Sequence, residues 1–380
     1  MLVPRLKRSP YRARGAFSSG LRADWQRELA GWFQRERREL PWRRTRDPYA
    51  IWISEAMLQQ TRVEVVIPRY RRFLARFPDV AALAAAGEDE VLALWSGLGY
   101  YARARALRDA ARVIVQRHAG ILPRTRAAWL DLPGVGPYTA GAVLSIAFSA
   151  SEPLVDGNVQ RVFARLFALE ERQGSKAFSE RCWALARELV PGARDELDPG
   201  DWNQALMELG ARLCTPRSPR CGDCPLCARC QAFALSRAAE LPRARARRAP
   251  LDVRLEILVV SSRGRLLCVR RPAAGRMAGL LEFPTRELPA SGRDPRLWPA
   301  ELPPGIAQAR TEPLGELRHT ITHHRVRAQV LAGRMIGRRP PEGARWAGPG
   351  ELAELELTGL ARKVLALHRD GRAGASGTPA

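Results

Sequence analysis

Between Ser19 and about Ala234, apolar residues recur at spacings of three and four, as in Val91, Leu92, Leu94 and Trp95. That is the period of helices that bury one face. Helix boundaries are marked as well. Asp47-Pro48 places a capping carboxylate and a proline at a first turn. Phe77-Pro78 and Val190-Pro191 read as stops. The pattern predicts about ten helices and no strand over residues 19–235. Residues 236–250, SRAAELPRARARRAP, are polar, basic and Pro-containing, and read as an interdomain linker. After Leu251 the period shortens. LDVRLEILVV and RLLCVRR predict two strands joined across Ser262-Arg263-Gly264, and HRVRAQVLAG (His324 to Gly333) predicts another. Leu360 to His368 reads as a helix. The fold class expected is therefore a mainly α N-terminal region followed by an α+β domain over 251–370, with residues 371–380 a tail rich in Gly and Ala.

A chain of 380 residues suits two cores better than one. With 46% hydrophobic residues it is globular, and no apolar run nears the roughly 18 residues of a membrane span. Residues 1–18 are basic and lack the apolar core of a signal peptide, so they read as a loose basic arm on a cytoplasmic protein. The formal net charge of +23, from 62 Lys+Arg against 39 Asp+Glu, points to a polyanionic partner, nucleic acid first. Drift toward arginine could produce part of that surplus, so charge is supporting evidence only.

Five of the seven cysteines lie within 17 residues, which in a cytosolic chain favours a metal over disulfides. Cys214, Cys221, Cys224 and Cys230 follow the pattern C-x6-C-x2-C-x5-C. Four thiolates suit a 4Fe-4S cluster or a zinc, but common zinc modules use two short CxxC pairs and this spacing has one. Cys227 breaks the spacing and reads as a non-ligand.

Leu132-Pro133-Gly134-Val135-Gly136 lies between two helical patterns. Gly134 and Gly136 allow a tight turn, and the amides opening the next helix then face an anion. An ordinary helix–helix turn would look similar. Here Pro137-Tyr138-Thr139-Ala140 follows, and Asp156 comes 18 residues after Tyr138, in Val155-Asp156-Gly157-Asn158-Val159. Alone, Asp156 would be read as a helix cap. Glu55 sits among Trp52, Ile53, Ala56, Met57 and Leu58, on a helix apolar nearly all round. A carboxylate there is costly unless paired, solvated or protonated, and a buried Glu with a raised pKa is what a general acid needs. Two carboxylates, one acid and one charge stabiliser, are also the toolkit for cleaving a glycosidic bond.

Together these stretches resemble the iron–sulfur branch of helix-hairpin-helix DNA glycosylases, and within it the adenine DNA glycosylases of the MutY type. The resemblance rests on LPWR at 40–43, SEAMLQQTRVE at 54–64, GLGYYARARAL at 97–107, LPGVGPYTAGAVLS at 132–145, VDGNVQRV at 155–162 and DWNQALMELGARLCTP at 201–216. It implies a 4Fe-4S cluster on Cys214, Cys221, Cys224 and Cys230. It implies Glu55 as general acid, Asp156 as stabiliser of an oxocarbenium-like sugar, and Tyr138 and Asn158 as residues that hold the site. Arg43 and Gln204 resemble adenine-pocket residues. Gln60, Thr61 and Tyr100 resemble the group that probes 8-oxoguanine and fills the stack. Gly97 and Gly99 favour an exposed loop at Tyr100 over a core aromatic. Arg212, Arg217 and Arg220 resemble phosphate contacts on a loop that the cluster shapes.

Bifunctional relatives, similar to endonuclease III, carry a lysine where this chain has Tyr138; that lysine attacks the sugar as a Schiff-base nucleophile, which a tyrosine cannot do. Residues Arg270-Arg271-Pro272 and Gly279 to Pro284 resemble the family's Nudix-like domain, without the Glu-rich helix that Nudix hydrolases need, and with Leu281 where the family more often has Trp. His319-Thr320-Ile321-Thr322-His323-His324 resembles the family's 8-oxoguanine loop. Ile321 replaces the usual Phe, while Thr322 and His323 keep the polar pair. Surface histidines at a strand start, or a His-rich metal site, compete with that reading.

The expected function is that of a monofunctional, monomeric, nucleoid-associated glycosylase acting on duplex DNA with adenine opposite 8-oxoguanine or guanine. The rival readings are a thymine or uracil mismatch glycosylase, a non-catalytic mismatch binder, and a lyase. The C-terminal domain, the retention of Glu55 with Asp156, and Tyr138 oppose them in that order.

Overall fold

A computed structural model of the chain describes residues 19–192, 197–245, 249–272, 277–289, 297–336, 339–355 and 357–375. The expected basic arm (1–18) and the last residues of the expected tail (376–380) lie outside them. The described residues form two compact units, one helical (19–99 and 103–245) and one α+β (residues 100–102 and from 249 onward).

The helical unit contains α1 (Ser19–Glu36), α2 (Pro48–Leu58), α3 (Val63–Arg76), α4 (Val80–Ala85), α5 (Glu88–Leu94), α6 (Ala102–His118), α7 (Arg126–Leu130), α8 (Pro137–Phe148), α9 (Gly157–Leu166), α10 (Lys176–Leu189), α11 (Pro199–Arg212) and α12 (Gln231–Ala234). That is twelve α-helices among the described residues against about ten expected; α4, α7 and α12 are only 6, 5 and 4 residues long. Segments of one or two turns carry too few apolar repeats to register as a period. The predicted cap is in place: the Asp47 carboxylate accepts from the Tyr49 and Ala50 amides and starts α2. From Tyr49 to Met57, α2 is buried at every position, because it is packed against α8 and α3. Both α8 and α11 pack closely through glycines. A Cβ on Gly141 would meet the Pro153 carbonyl oxygen at 2.1 Å, and one on Gly210 would meet the Asn158 Cβ at 2.6 Å.

The segment expected to be a linker departs from that expectation up to residue 245. Leu241 is buried, and its carbonyl accepts from Arg165 Nε at 2.9 Å. Arg237 pairs with Glu170 and Glu240, and Arg243 also pairs with Glu170. Charge and proline made the stretch read as solvated; one leucine and two ion pairs to Glu170 attach it to the helical unit. Residues 246–248 lie outside the described residues.

The second unit holds β1 (Leu251–Ser262), β2 (Arg265–Arg270), β3 (Leu281–Glu282), β4 (Thr285–Glu287), β5 (Ile306–Ile321), β6 (His324–Met335), β7 (Ala344–Ala347), α13 (Pro349–Glu354) and α14 (Gly359–Ala375). The sheet order is β3-β2-β1-β6-β5, with β4 on β1 and β7 on β2. Strands β1 and β6 run parallel, from Leu251 opposite His324 to Val260 opposite Gly333. On β6, burial alternates through His324, Val326, Ala328 and Val330. That face and Val253, Leu255 and Ile257 of β1 pack under Leu360, Ala361 and Val364 of α14. Strand β5 was not expected. Its register shifts between Gln308 and Pro313 and again before Gly315, which hides the period of two that would reveal it. The backbone of α14 stays helical to Ala375, five residues into the expected tail.

Candidate active site

The turn after α7 brings Gly134 to φ 71°, where a Cβ would meet Ala106 Cβ at 2.5 Å; only glycine fits this close, left-handed position. Gly136 then caps α8, with Pro137 at its first position. The first turn of α8 carries Tyr138 to the wall of a cavity of about 240 Å³. Of the residues singled out in the sequence, the cavity is lined by Arg43, Glu55, Thr61, Tyr138, Asp156, Asn158 and Gln204. Gln60, Tyr100, Gly134 and Gly136 are not among its walls.

Glu55, on α2, is 4% exposed. Tyr138 Oη donates to its Oε2 at 2.5 Å and also lies 3.4 Å from Met207 Sδ. Burial pushes the Glu55 carboxyl up to about 7, and the charge of Asp156 acts in the same direction, while the Tyr138 hydroxyl and Arg43 pull it down. A carboxyl in this range can hold and release a proton near neutrality. Asp156 is the N-cap of α9: it accepts from the Val159 amide at 2.7 Å and from Asn158 Nδ2 at 2.9 Å. Burial raises its pKa too, opposed by those two donors. The cap reading and the site reading of Asp156 therefore coincide, since capping fixes the carboxylate at the cavity wall.

Arg43 lies in a short 3-10 turn (Pro41–Arg43). Its Nη2 donates to Glu208 Oε2 at 2.9 Å, its Nη1 to the Arg38 carbonyl at 3.0 Å, and its guanidinium sits 5.2 Å from the Phe33 ring centroid. Glu208 and Arg38 also border the cavity. Sequence reading passed over both. Glu208 stands one helical turn after Gln204, on the face that carries that pocket candidate, and this i,i+4 spacing was the available signal.

Two of the residues expected to probe the stack, Gln60 and Tyr100, sit at left-handed turns. Gln60 closes α2 at φ 58°, and Tyr100 has φ 48° and is 59% exposed, flanked by Gly97 and Gly99 at φ 84° and 69°. Arg103, also missed, joins the two turns. Its Nη1 donates to the carbonyls of Ala56, Met57 and Gln59, its Nη2 to those of Leu98 and Gly99 and to Thr61 Oγ1 at 3.4 Å. It also stacks over Trp95.

Beyond α11 the chain folds into two short 3-10 turns. Cys214, Cys221, Cys224, Cys227 and Cys230 line one small pocket with Arg165 and Phe233. No three His, Cys, Asp or Glu side chains among the described residues converge closely enough for a single metal ion. Burial holds the Cys224 and Cys230 thiols up at about 12 and about 11, so without a metal they stay protonated. Arg165 is 2% exposed; its Nη1 donates to Cys214 Sγ at 3.3 Å and to the Thr215 carbonyl at 2.7 Å. Arg161 donates from Nε to the Cys214 carbonyl at 2.7 Å and from Nη2 to Asn158 Oδ1 at 2.8 Å, a path that continues through Asn158 to Asp156. Of the expected phosphate contacts, Arg212 pairs with Glu36 at 3.7 Å and Arg220 with Asp223 at 3.8 Å.

In the second unit, Thr322 and His323 form the two-residue turn between β5 and β6, with Ile321 paired to His324. Thr322 is exposed at φ 54°, and its hydroxyl lies 3.4 Å from His323 Nδ1. His324 is buried behind them, its ring 4.1 Å from that of His323.

The pattern of HhH-GPD superfamily base excision DNA repair proteins matches residues 53–188, and that of the NUDIX domain matches residues 257–367. The adenine DNA glycosylase of Rattus norvegicus is 36% identical over 414 residues, which cover 92% of this chain and 79% of that protein. The chain belongs to the adenine DNA glycosylase family. The human adenine DNA glycosylase is 34% identical, covering 91% of this chain and 74% of its own length. A thermostable thymine-DNA glycosylase shares the helical fold, with 32% identity and a TM-score of 0.50 over 56% of this chain and 97% of its own. Membership of the adenine glycosylase family makes the chain a DNA-binding hydrolase of N-glycosyl bonds in base excision repair, of the MutY type, with a helix-hairpin-helix region followed by a Nudix-like domain. No described helix is long and apolar enough to cross a membrane.

Proposed function

We propose that this chain excises adenine placed opposite 8-oxoguanine or guanine in duplex DNA and leaves the strand uncut. The observation that carries the reading is the Glu55 carboxyl, lifted to about 7 in the same cavity as Asp156, with Tyr138 where a lyase would need an amine. Adenine turned out of the stack enters this cavity, at a cost of a few kcal/mol that is least at a mismatch. Glu55 gives its proton to a ring nitrogen. The C1′–N9 bond then breaks, and its electron pair leaves with the base. The sugar becomes cationic, and the Asp156 carboxylate stabilises it. Water adds at C1′ and returns a proton to Glu55, which restores the acid. Tyr138 and Asn158 hold the two carboxyl groups, and Arg43 and Gln204 border the base.

On the same reading, Gln60, Thr61 and Tyr100 probe the stack, the amides after Gly134 and Gly136 grip phosphate, and the turn at Thr322 and His323 reads the oxidised guanine. The domain roles follow the expected division, 19–235 for excision and 251–370 for lesion reading, and the protein works as a monomer on the nucleoid. A 4Fe-4S cluster fits the pocket of thiols, since several thiols border one space and no trio is tight enough for a single ion. Cys214, Cys221, Cys224 and Cys230 would hold it. When bound, it supplies a rigid tie for the loop 215–220.

The deciding experiment is single-turnover cleavage of a labelled duplex with adenine opposite 8-oxoguanine, with and without an alkaline step. Breaks only after alkali are expected. Breaks before alkali would mean a lyase with another amine. Binding with no break in either lane would overturn the catalytic reading of this substrate.

A further inference from the structure

Glu208, on α11, is the one carboxylate in the cavity wall that the proposed reaction does not use. It is 1% exposed. Its Oε1 accepts from Arg38 N at 3.1 Å and Arg38 Nε at 2.8 Å; its Oε2 accepts from Arg38 Nη2 at 2.8 Å and Arg43 Nη2 at 2.9 Å. With four donors on two oxygens, the carboxylate has no acceptor capacity left for a base. Its role must run through its partners. Arg43 is the partner that matters, because it lines the same cavity as Glu55 and is held by Glu208, by the Arg38 carbonyl and by the Phe33 ring.

We propose that Glu208 is a positioning residue which fixes Arg43 and screens its positive charge from Glu55, so that Glu55 keeps its proton at neutral pH. The inference deepens the reading of Glu55 as general acid and rests on it. Among the described residues, the charged and titratable groups that line the cavity with Glu55 come from several elements. Tyr138 comes from α8, Asp156 from the start of α9, Arg43 from the 3-10 turn, and Arg62 from the segment before α3; Arg38 and Glu208 line the same cavity, and Glu208 bonds both Arg38 and Arg43. Arg43 is the cation that acts on Glu55, in the direction that favours the carboxylate. An unscreened guanidinium there would drive the acid toward its anion. Glu208 can screen it at any working pH. Burial works against the Glu208 charge, but the bonds from Arg38 and Arg43 override it and hold the carboxyl down at about 2.

The test is the midpoint of Glu55, measured in two ways on the full-length protein: carboxyl carbon NMR titration without DNA, and the alkaline limb of single-turnover excision. Glu208→Gln removes the charge and keeps the shape. It should move both midpoints to lower pH, by about half a unit or more, while the rate well below the midpoint changes less. Arg43→Gln should move them the opposite way, and Glu208→Asp should restore the wild-type midpoint. A merely structural role for Glu208 would lower the rate at every pH alike and leave the midpoint in place; a folded Glu208→Gln protein with that behaviour overturns the inference. If Glu208→Gln fails to fold by circular dichroism, Arg43→Gln decides, and an unmoved midpoint overturns the proposal. The reading of Glu55 fails separately, if Glu55→Gln retains wild-type excision. In that event the NMR midpoint still judges the screening.

Discussion

Burial lifts Glu55 to about 7, so its proton is present below that pH and is lost as pH rises through it. Excision should fall along the same limb, because only the protonated form can act as the acid. Glu55→Gln should lower single-turnover excision by ~10²-fold or more and leave binding to an A:8-oxoguanine duplex nearly intact. Turnover close to wild type would remove Glu55 from the mechanism. Tyr138→Phe tests the neighbour. The hydroxyl donates to the carboxylate and so favours the anion. Removing it should shift the alkaline limb to higher pH, and a shift to lower pH would contradict the hydrogen bond as described. Glu55 was legible in the sequence because a charge on a helix apolar nearly all round stands out locally. Its remote partners were not. Arg38 and Arg43 reach Glu208 across 170 and 165 residues, and no periodicity reports a bond that long in sequence.

At the scale of elements, helix ends and turns do the positioning. Arg103 draws together the carbonyl end of α2, which carries Glu55, and the glycine loop that presents Tyr100. A cation at a helix C-terminus opposes the helix dipole, and its planar fork of donors serves both turns together. Lysine has one compact head and cannot do this. Arg103→Lys should therefore lower the fluorescence rise of 2-aminopurine opposite guanine when the protein binds, and leave the pH midpoint of excision unchanged. A full fluorescence rise would show that the turns hold without the fork. Gly210 makes the second element-scale prediction. A Cβ there would meet Asn158 at 2.6 Å, between α11 and the cap of α9. Gly210→Ala should cost about 1–3 kcal/mol in denaturant unfolding and slow excision further by displacing Asn158 from Asp156. Unchanged stability would mean that α11 yields at no cost. These close approaches escape sequence reading because a glycine needed for proximity is written the same way as one needed for a turn. Thr322 and His323 were singled out through the family resemblance, and the structure places them in a turn. A two-residue turn between paired strands is a local device, although the strand before it, β5, was missed whole because register shifts after Gln308 and Pro313 break its alternation. Thr322→Ala with His323→Ala should erode the preference for 8-oxoguanine over guanine opposite adenine, measured as a ratio of single-turnover rates. An unchanged ratio would separate the turn from lesion reading.

At the scale of the whole molecule, the thiol pocket and the cavity of Glu55 and Asp156 share one hydrogen-bonded framework. Arg165 ties Cys214 and Thr215 to the buried stretch at Leu241, and Arg161 ties the Cys214 carbonyl to Asn158 and so to Asp156. The order of the pocket therefore bears on two functions: the basic loop 215–220 that would face phosphate, and the cap that holds Asp156. Without a metal, burial keeps the Cys224 and Cys230 thiols protonated, and neutral thiols alone do not tie the chain positions together. A bound cluster deprotonates its ligands and fixes four chain positions together. The spacing in sequence separates Cys227 from the other four thiols, although all five border the pocket. Replacing ligand and non-ligand thiols should thus give different results. Cys221→Ser should lose the brown absorbance, bind duplex DNA more weakly with a reduced salt dependence, and excise more slowly even at saturating protein, through the Arg161 path. Cys227→Ser should keep colour, iron content and affinity. Loss of iron in the Cys227 variant would show that the spacing argument chose the wrong thiol. A colourless wild type that binds zinc with full activity would show that the four thiolates serve a single ion, and the pocket would then have to close around it.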